Sequence, residues 1–202
     1  AIVGLGELRD PRAVALLQKY LYGFNEALRD AAVASLSKIG AAAVPALAGL
    51  LKSDRYEVRV GALRALQGID DPRTPGIIIT ALKDGDENVR RMAAEALSRA
   101  GDARCVAPLV GALSDPAWRV AARARDSLIV VGAPAVPSLI GVLSQGADSM
   151  ASYYAEGALA KIGGGAVSAL IAAARQGSPV ARHRAVLTLG RIGDTRAAPL
   201  LE

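Results

Sequence analysis

The sequence predicts an all-α fold, an α-solenoid of stacked helix pairs, and three observations carry that expectation. A leucine recurs at Leu5, Leu36, Leu66, Leu97, Leu128, Leu159 and Leu189, in steps of 30 or 31 residues, and periods of this length mark a stacked array. An alanine stands four residues before each of them, at Ala1, Ala32, Ala62, Ala93, Ala124, Ala155 and Ala185. A single methyl group at every register marks a place where a neighbouring helix comes too close for anything larger. Finally, 52% of the 202 residues are hydrophobic but only 3% are aromatic, so the core must be aliphatic.

The leucine belongs to a helix, designated B. Three residues after it stands an apolar side chain (Leu8, Ile39, Ile69, Ala100, Val131, Ile162, Ile192), and eight before it another (Leu28, Val58, Val89, Val120, Ala151, Ala181). Offsets of minus eight, minus four, zero and plus three trace one face of a helix of about 3.6 residues per turn and do not fit the alternation of a strand. Glycine closes the B helix at Gly40, Gly101, Gly132, Gly163 and Gly193, where it adopts a left-handed cap at least cost.

A second helix, A, follows. It starts either at Asp-x-Arg (Asp10 to Arg12, Asp71 to Arg73, Asp102 to Arg104, Asp194 to Arg196) or after an Ala/Gly-rich run ending in Val44-Pro45, Val136-Pro137 or Val167-Ser168. The aspartate is placed to accept from unpaired amides of the new helix, and Pro11 or Pro72 suits its first turn. About twelve residues later a polar turn such as Lys52-Ser53-Asp54 or Lys83-Asp84-Gly85-Asp86 leads to the next B helix. Complete registers fall near 25–55, 55–85, 86–115, 116–146, 147–177 and 178–202 after a partial one at 1–22, which makes one repeat array over 1–202 of about six helix pairs with a partial helix at each end. Neither end carries a polar capping repeat, so a longer array or end-to-end self-association is expected.

These residues resemble the HEAT-like repeats of phycobilisome (bilin) lyase subunits, most closely at Val58-Arg59 with Ala62, Leu66 and Ile69, and at Val89-Arg90 with Ala93, Leu97 and Gly101-Asp102. The resemblance covers nearly the whole chain. It implies a right-handed superhelix with A helices outside and B helices lining a concave side. The arginine that follows the valine in that family is present at Arg29, Arg59, Arg90 and Arg182 and is replaced by Ala121 and Ser152. A structural ladder to the inter-helix turns at Asp54, Asp84 and Asp115 is the expected role of these arginines.

Composition narrows the function. One cysteine, Cys105, and one histidine, His183, leave no disulfide framework and no metal cluster of the usual ligand types. The same count argues against the di-iron hydroxylases built on paired His-Glu HEAT repeats. There is no Gly-x-Ser-x-Gly elbow and no Gly-Lys-Ser/Thr phosphate loop, so no catalytic residue, metal or cofactor is expected. The formal charge of +5 comes from 24 basic against 19 acidic residues, too small an excess for a nucleic-acid partner. The uncharged stretch from Ser127 to Ala147 contains Pro134 and Pro137, which reads as repeat and not as a membrane span, and a cytoplasmic setting is expected.

The face of the B helices opposite the apolar stripe is the candidate binding surface. Six before the repeat leucine lie Asp30, Val60, Arg91, Ala122, Tyr153 and His183, and five before it Ala31, Gly61, Met92, Arg123, Tyr154 and Arg184. Trp118 and Arg119 open the fourth complete B helix, and Trp, Tyr and Arg are the side chains most enriched at binding hot spots. A partner-binding surface is therefore expected at Trp118, Arg119, Arg123, Tyr153, Tyr154, His183 and Arg184, with Arg91. The first expectation is a scaffold or assembly factor that binds a protein partner there. The alternatives are a bilin lyase or tetrapyrrole chaperone subunit, using the same aromatic and cationic residues, and a nucleic-acid binder of the HEAT-like glycosylase type, against which one tryptophan and interspersed acids count.

Overall fold

The computed structural model describes residues 2–99, 102–144 and 149–198, and among them every regular element is helical. The chain divides into two compact units, Ala1–Ala100 and Gly101–Glu202. The first holds α1 (Ile2–Glu7), α2 (Val14–Leu21), α3 (Glu26–Ile39), α4 (Val44–Leu50), α5 (Tyr56–Gln67), α6 (Thr74–Ala81) and α7 (Glu87–Ser98). The second holds α8 (Val106–Gly111), α9 (Trp118–Val131), α10 (Val136–Leu143), α11 (Met150–Ile162), α12 (Val167–Gln176) and α13 (Pro179–Ile192). Odd-numbered helices are the B helices and even-numbered helices the A helices.

In each unit the B helices pack side by side, α1 on α3, α3 on α5 and α5 on α7, then α9 on α11 and α11 on α13. Each A helix packs against the B helix that follows it, as α4 does on α5 and α10 on α11. The alanine column explains the close approach: Ala32, Ala62, Ala93, Ala124, Ala155 and Ala185 are all fully buried. The leucines Leu36, Leu66, Leu97, Leu128, Leu159 and Leu189 are buried beside them, each worth about 1.5 to 3 kcal/mol of transfer free energy. Ala1, Ala100, Gly101 and the end at 199–202 lie outside the described residues, as do 145–148.

Two columns depart from expectation at the first repeat. Leu8 is 74% exposed and Leu28 42% exposed, although both occupy core registers. α1 stops at Glu7 and the chain then turns through Arg9 at φ 49°. Arg9 stands where later repeats have Gly40, Gly132, Gly163 and Gly193, all with φ between 65° and 76°.

The A helices are also shorter than expected, because several open as a 3-10 turn before the α-helix proper, as at Gly40–Ala43 before α4 and Ala133–Ala135 before α10. The Asp-x-Arg turns cap them as predicted. Asp71 Oδ1 accepts from the Arg73 amide at 2.9 Å and Asp194 Oδ1 from the Arg196 amide at 3.0 Å. The arginine adds something the sequence did not suggest: Arg73 Nη2 donates to the Ala41 carbonyl and Arg196 Nη2 to the Gly164 carbonyl, both at 3.0 Å. Each guanidinium thus ties its turn to the turn one repeat earlier. The guanidinium hydrogen bonds hold the Asp71 and Asp194 carboxyls down to about 2.

The apolar stretch that begins at Ser127 is broken at Gly132, where α9 and the following helical segment meet at 118°. The helical run Glu26–Leu50 meets the length and hydropathy of a membrane span, but it carries the positive-φ Gly40 and nearly half of its most apolar stretch is buried within the protein.

Candidate functional site

Arg29, Arg59 and Arg90, seven residues before the repeat leucine, reach the turns that precede their helices. Arg29 Nη1 donates to the Gly23 carbonyl at 2.8 Å, Arg59 Nη1 to the Ser53 carbonyl at 2.7 Å and Arg90 Nη1 to the Asp84 carbonyl at 2.9 Å. The acceptor is always the carbonyl six residues back, in the turn that ends the preceding A helix, where helical carbonyls lack partners. Arg59 also grips Asp84 with two hydrogen bonds of 2.9 and 2.8 Å. Arg29 binds the Gly23 carbonyl rather than Asp54. Arg182 is exposed and forms no ion pair with a described residue. Ser152, at the same register, is fully buried and donates to the Val142 carbonyl at 3.1 Å, so a hydroxyl replaces the guanidinium.

The binding-type residues gather at the start of α9 and α11. Trp118 is 63% exposed and opens α9, with the Arg119 guanidinium 5.1 Å from its ring centroid, within cation–π range. Tyr153 is 58% exposed, and Met150 beside it on α11 is exposed as well. His183 is exposed on α13, and Arg123 is half-buried on α9. Arg91 lies on α7 in the first unit and is described with that unit below.

Two expected contact residues are not on the open face. Tyr154 is only 6% exposed: its hydroxyl makes a long 3.5 Å contact with the Trp118 carbonyl, and its ring meets Tyr153 edge-on at 5.7 Å. The Arg125 guanidinium lies 5.8 Å from the Tyr154 ring centroid. Arg184 is ion-paired with Glu156, which is 4% exposed and has Arg191 at 3.6 Å on its other oxygen. The reason is geometric. The residue five before the repeat leucine faces the residue three before it on the preceding B helix, as Arg184 faces Glu156 and Tyr154 faces Arg125. That column seals neighbouring helices, and only the six-before column and the helix starts stay open. Tyr154 is thus packed between neighbouring helices, and Arg184 is paired with a buried carboxylate.

Among the described residues no group of three His, Cys, Asp or Glu side chains could hold a metal ion. Cys105 is buried, and burial pushes its thiol up, away from the thiolate that nucleophilic work requires.

The HEAT repeats family model matches residues 1–59 and 45–129, and the PBS lyase HEAT-like repeat model matches residues 181–202. A bilin biosynthesis protein of Synechococcus sp. strain WH8020 is 33% identical over 130 residues, covering 59% of this chain and 62% of that protein. The phycocyanobilin lyase subunit beta of Pseudanabaena tenuis strain PCC 7409 is 37% identical over 98 residues, covering 48% and 35%. The chain thus spans less than two thirds of the length of these relatives. Among solved structures, the complex of CpcE and CpcF of phycocyanin lyase from Nostoc sp. PCC7120 matches with a TM-score of 0.59 at 22% identity, over 74% of this chain and 99% of that one. Human deoxyhypusine hydroxylase matches with a TM-score of 0.51 at 23% identity, over 97% and 79%. Both are likenesses of fold.

Proposed function

The chain belongs to the HEAT-repeat family, and from that premise we propose that it is a subunit of a bilin lyase type of assembly, holding a linear tetrapyrrole on the open face of α9 and α11 and working with a protein partner. The observation that carries this reading is the exposure of Trp118 and Tyr153, with the Arg119 guanidinium over the indole and the buried Tyr154 edge-on to Tyr153, its hydroxyl at the Trp118 carbonyl. A linear tetrapyrrole is a flat conjugated chain with carboxylate side arms. Aromatic faces receive the first, and a guanidinium such as that of Arg119 the second. The buried Tyr154 and the Glu156–Arg184 pair fix the helices beneath, so the face is held ready before the ligand arrives.

The names of the two sequence relatives support the tetrapyrrole reading ahead of the plain scaffold that composition favoured. The role assigned to this chain is to hold and orient the pigment, and no catalytic group is assigned to it. Titrating the chain with phycocyanobilin should change the pigment's absorbance saturably, while duplex DNA at low salt should give no salt-sensitive complex. Absorbance identical to that of free pigment across the titration, or a DNA complex that salt dissolves, would replace this reading with one of the other two.

A further inference from the structure

A recess lies in the first unit, lined by α3, α5 and α7. In the five-before column, later repeats carry Met92, Arg123, Tyr154 and Arg184, whereas the second complete repeat carries Gly61. A glycine inside a helix costs about 1 kcal/mol relative to alanine. Packing does not demand it at this position. A Cβ there would lie 3.4 Å from Leu21 Cδ2 and 3.8 Å from Val33 Cγ2, ordinary contact distances, and α5 is regular through it. Its effect is to leave a recess of about 220 Å³ over the apolar floor of Leu21, Val33 and Gly61.

The rim is divided by charge. Glu26 and Glu57 line it together with Arg91, and the Asp30–Arg64 ion pair at 2.6 Å closes part of the wall. Arg91 is half-buried and forms no ion pair with a described residue, which leaves its guanidinium available to an incoming carboxylate. The volume suits one branched or aromatic side chain and is too small for a tetrapyrrole. A small carboxylic acid would meet two carboxylates on the same rim. We propose that this recess docks a protein partner through one apolar side chain, flanked by an acidic residue that meets Arg91 and a basic residue that meets Glu26 and Glu57.

The test is an array of synthetic peptides with a central Leu or Phe and systematically varied acidic and basic flanks, probed with the full chain and with two variants. Peptides carrying one acid and one base around the anchor should be retained. Gly61→Leu, which fills the recess, should weaken them about tenfold or more. Arg91→Glu should weaken the same peptides and favour those in which the acid is exchanged for a base, a reversal that a general loss of folding cannot mimic. If Gly61→Leu does not fold, the charge exchange at Arg91 decides alone. Retention of no peptide, or equal retention by the unaltered chain and both variants, overturns the proposal. Phycocyanobilin binding takes no part in this experiment, so the two proposals fail separately.

Discussion

Replacing Arg59 by alanine should cost about 3 kcal/mol, and the structure supplies the reasons. Its guanidinium makes two hydrogen bonds to Asp84, of 2.9 and 2.8 Å, and a third to the Ser53 carbonyl at 2.7 Å. Both ion-pair side chains are 14% exposed. Truncation leaves the Asp84 carboxylate with the Asp86 amide at 2.9 Å and strips the Ser53 carbonyl of this donor. Removing one partner of a buried pair costs about 3 to 5 kcal/mol, and the residual water access here argues for the lower end. Arg182 shares the column but is exposed and forms no ion pair with a described residue, so Arg182→Ala should change stability by less than about 0.5 kcal/mol. Urea denaturation followed by helical circular dichroism reads both, with m-values unchanged. A loss below about 1 kcal/mol for Arg59→Ala, or equal losses for the two variants, would refute the ladder as a structural device.

Leu97→Ala should cost about 2 to 5 kcal/mol, because it opens a cavity at a fully buried position between rigid helices, and a loss below about half a kcal/mol in the same denaturation assay would show the register to be wrong. Arg9→Gly should stabilise by up to about 1 kcal/mol, since glycine removes the strain of a side chain at φ 49°, and an unchanged or lowered melting temperature would contradict it. The carboxyls of Asp71 and Asp194 sit at about 2 in the folded chain, and those of Asp10 and Asp102 are also lowered by hydrogen bonds from Arg12 and Arg104. An unfolded aspartate titrates near about 3.9, so this stabilisation is complete above that pH and is lost as pH falls from about 4 towards 2. Melting temperatures measured across that window should fall, less steeply in Asp71→Asn, and parallel profiles would count against the pairing.

The repeat was legible because it is a spacing. The alanine and leucine columns report helix contacts that every register repeats, and no tertiary detail is needed to place them. What the sequence concealed lies between registers. Tyr154 and Arg184 carry side chains typical of binding surfaces, yet their column faces the preceding helix, a fact that depends on how neighbouring B helices are rotated and that periodicity within one helix does not report. The second function of Arg73 and Arg196, reaching the turn one repeat back, was hidden for the same reason. Gly61 was visible in its column, but its meaning required the distances to Leu21 and Val33.

Trp118 is the only tryptophan in the chain and is 63% exposed on the proposed pigment face, so its emission reports on that face directly. Titration with phycocyanobilin should quench Trp118 saturably, and Tyr153→Ala should shift the midpoint about tenfold to higher pigment concentration while leaving the melting temperature unchanged. Emission that stays constant through the titration, or a midpoint unmoved by Tyr153→Ala, would contradict the assignment of a bilin to the open face of α9 and α11.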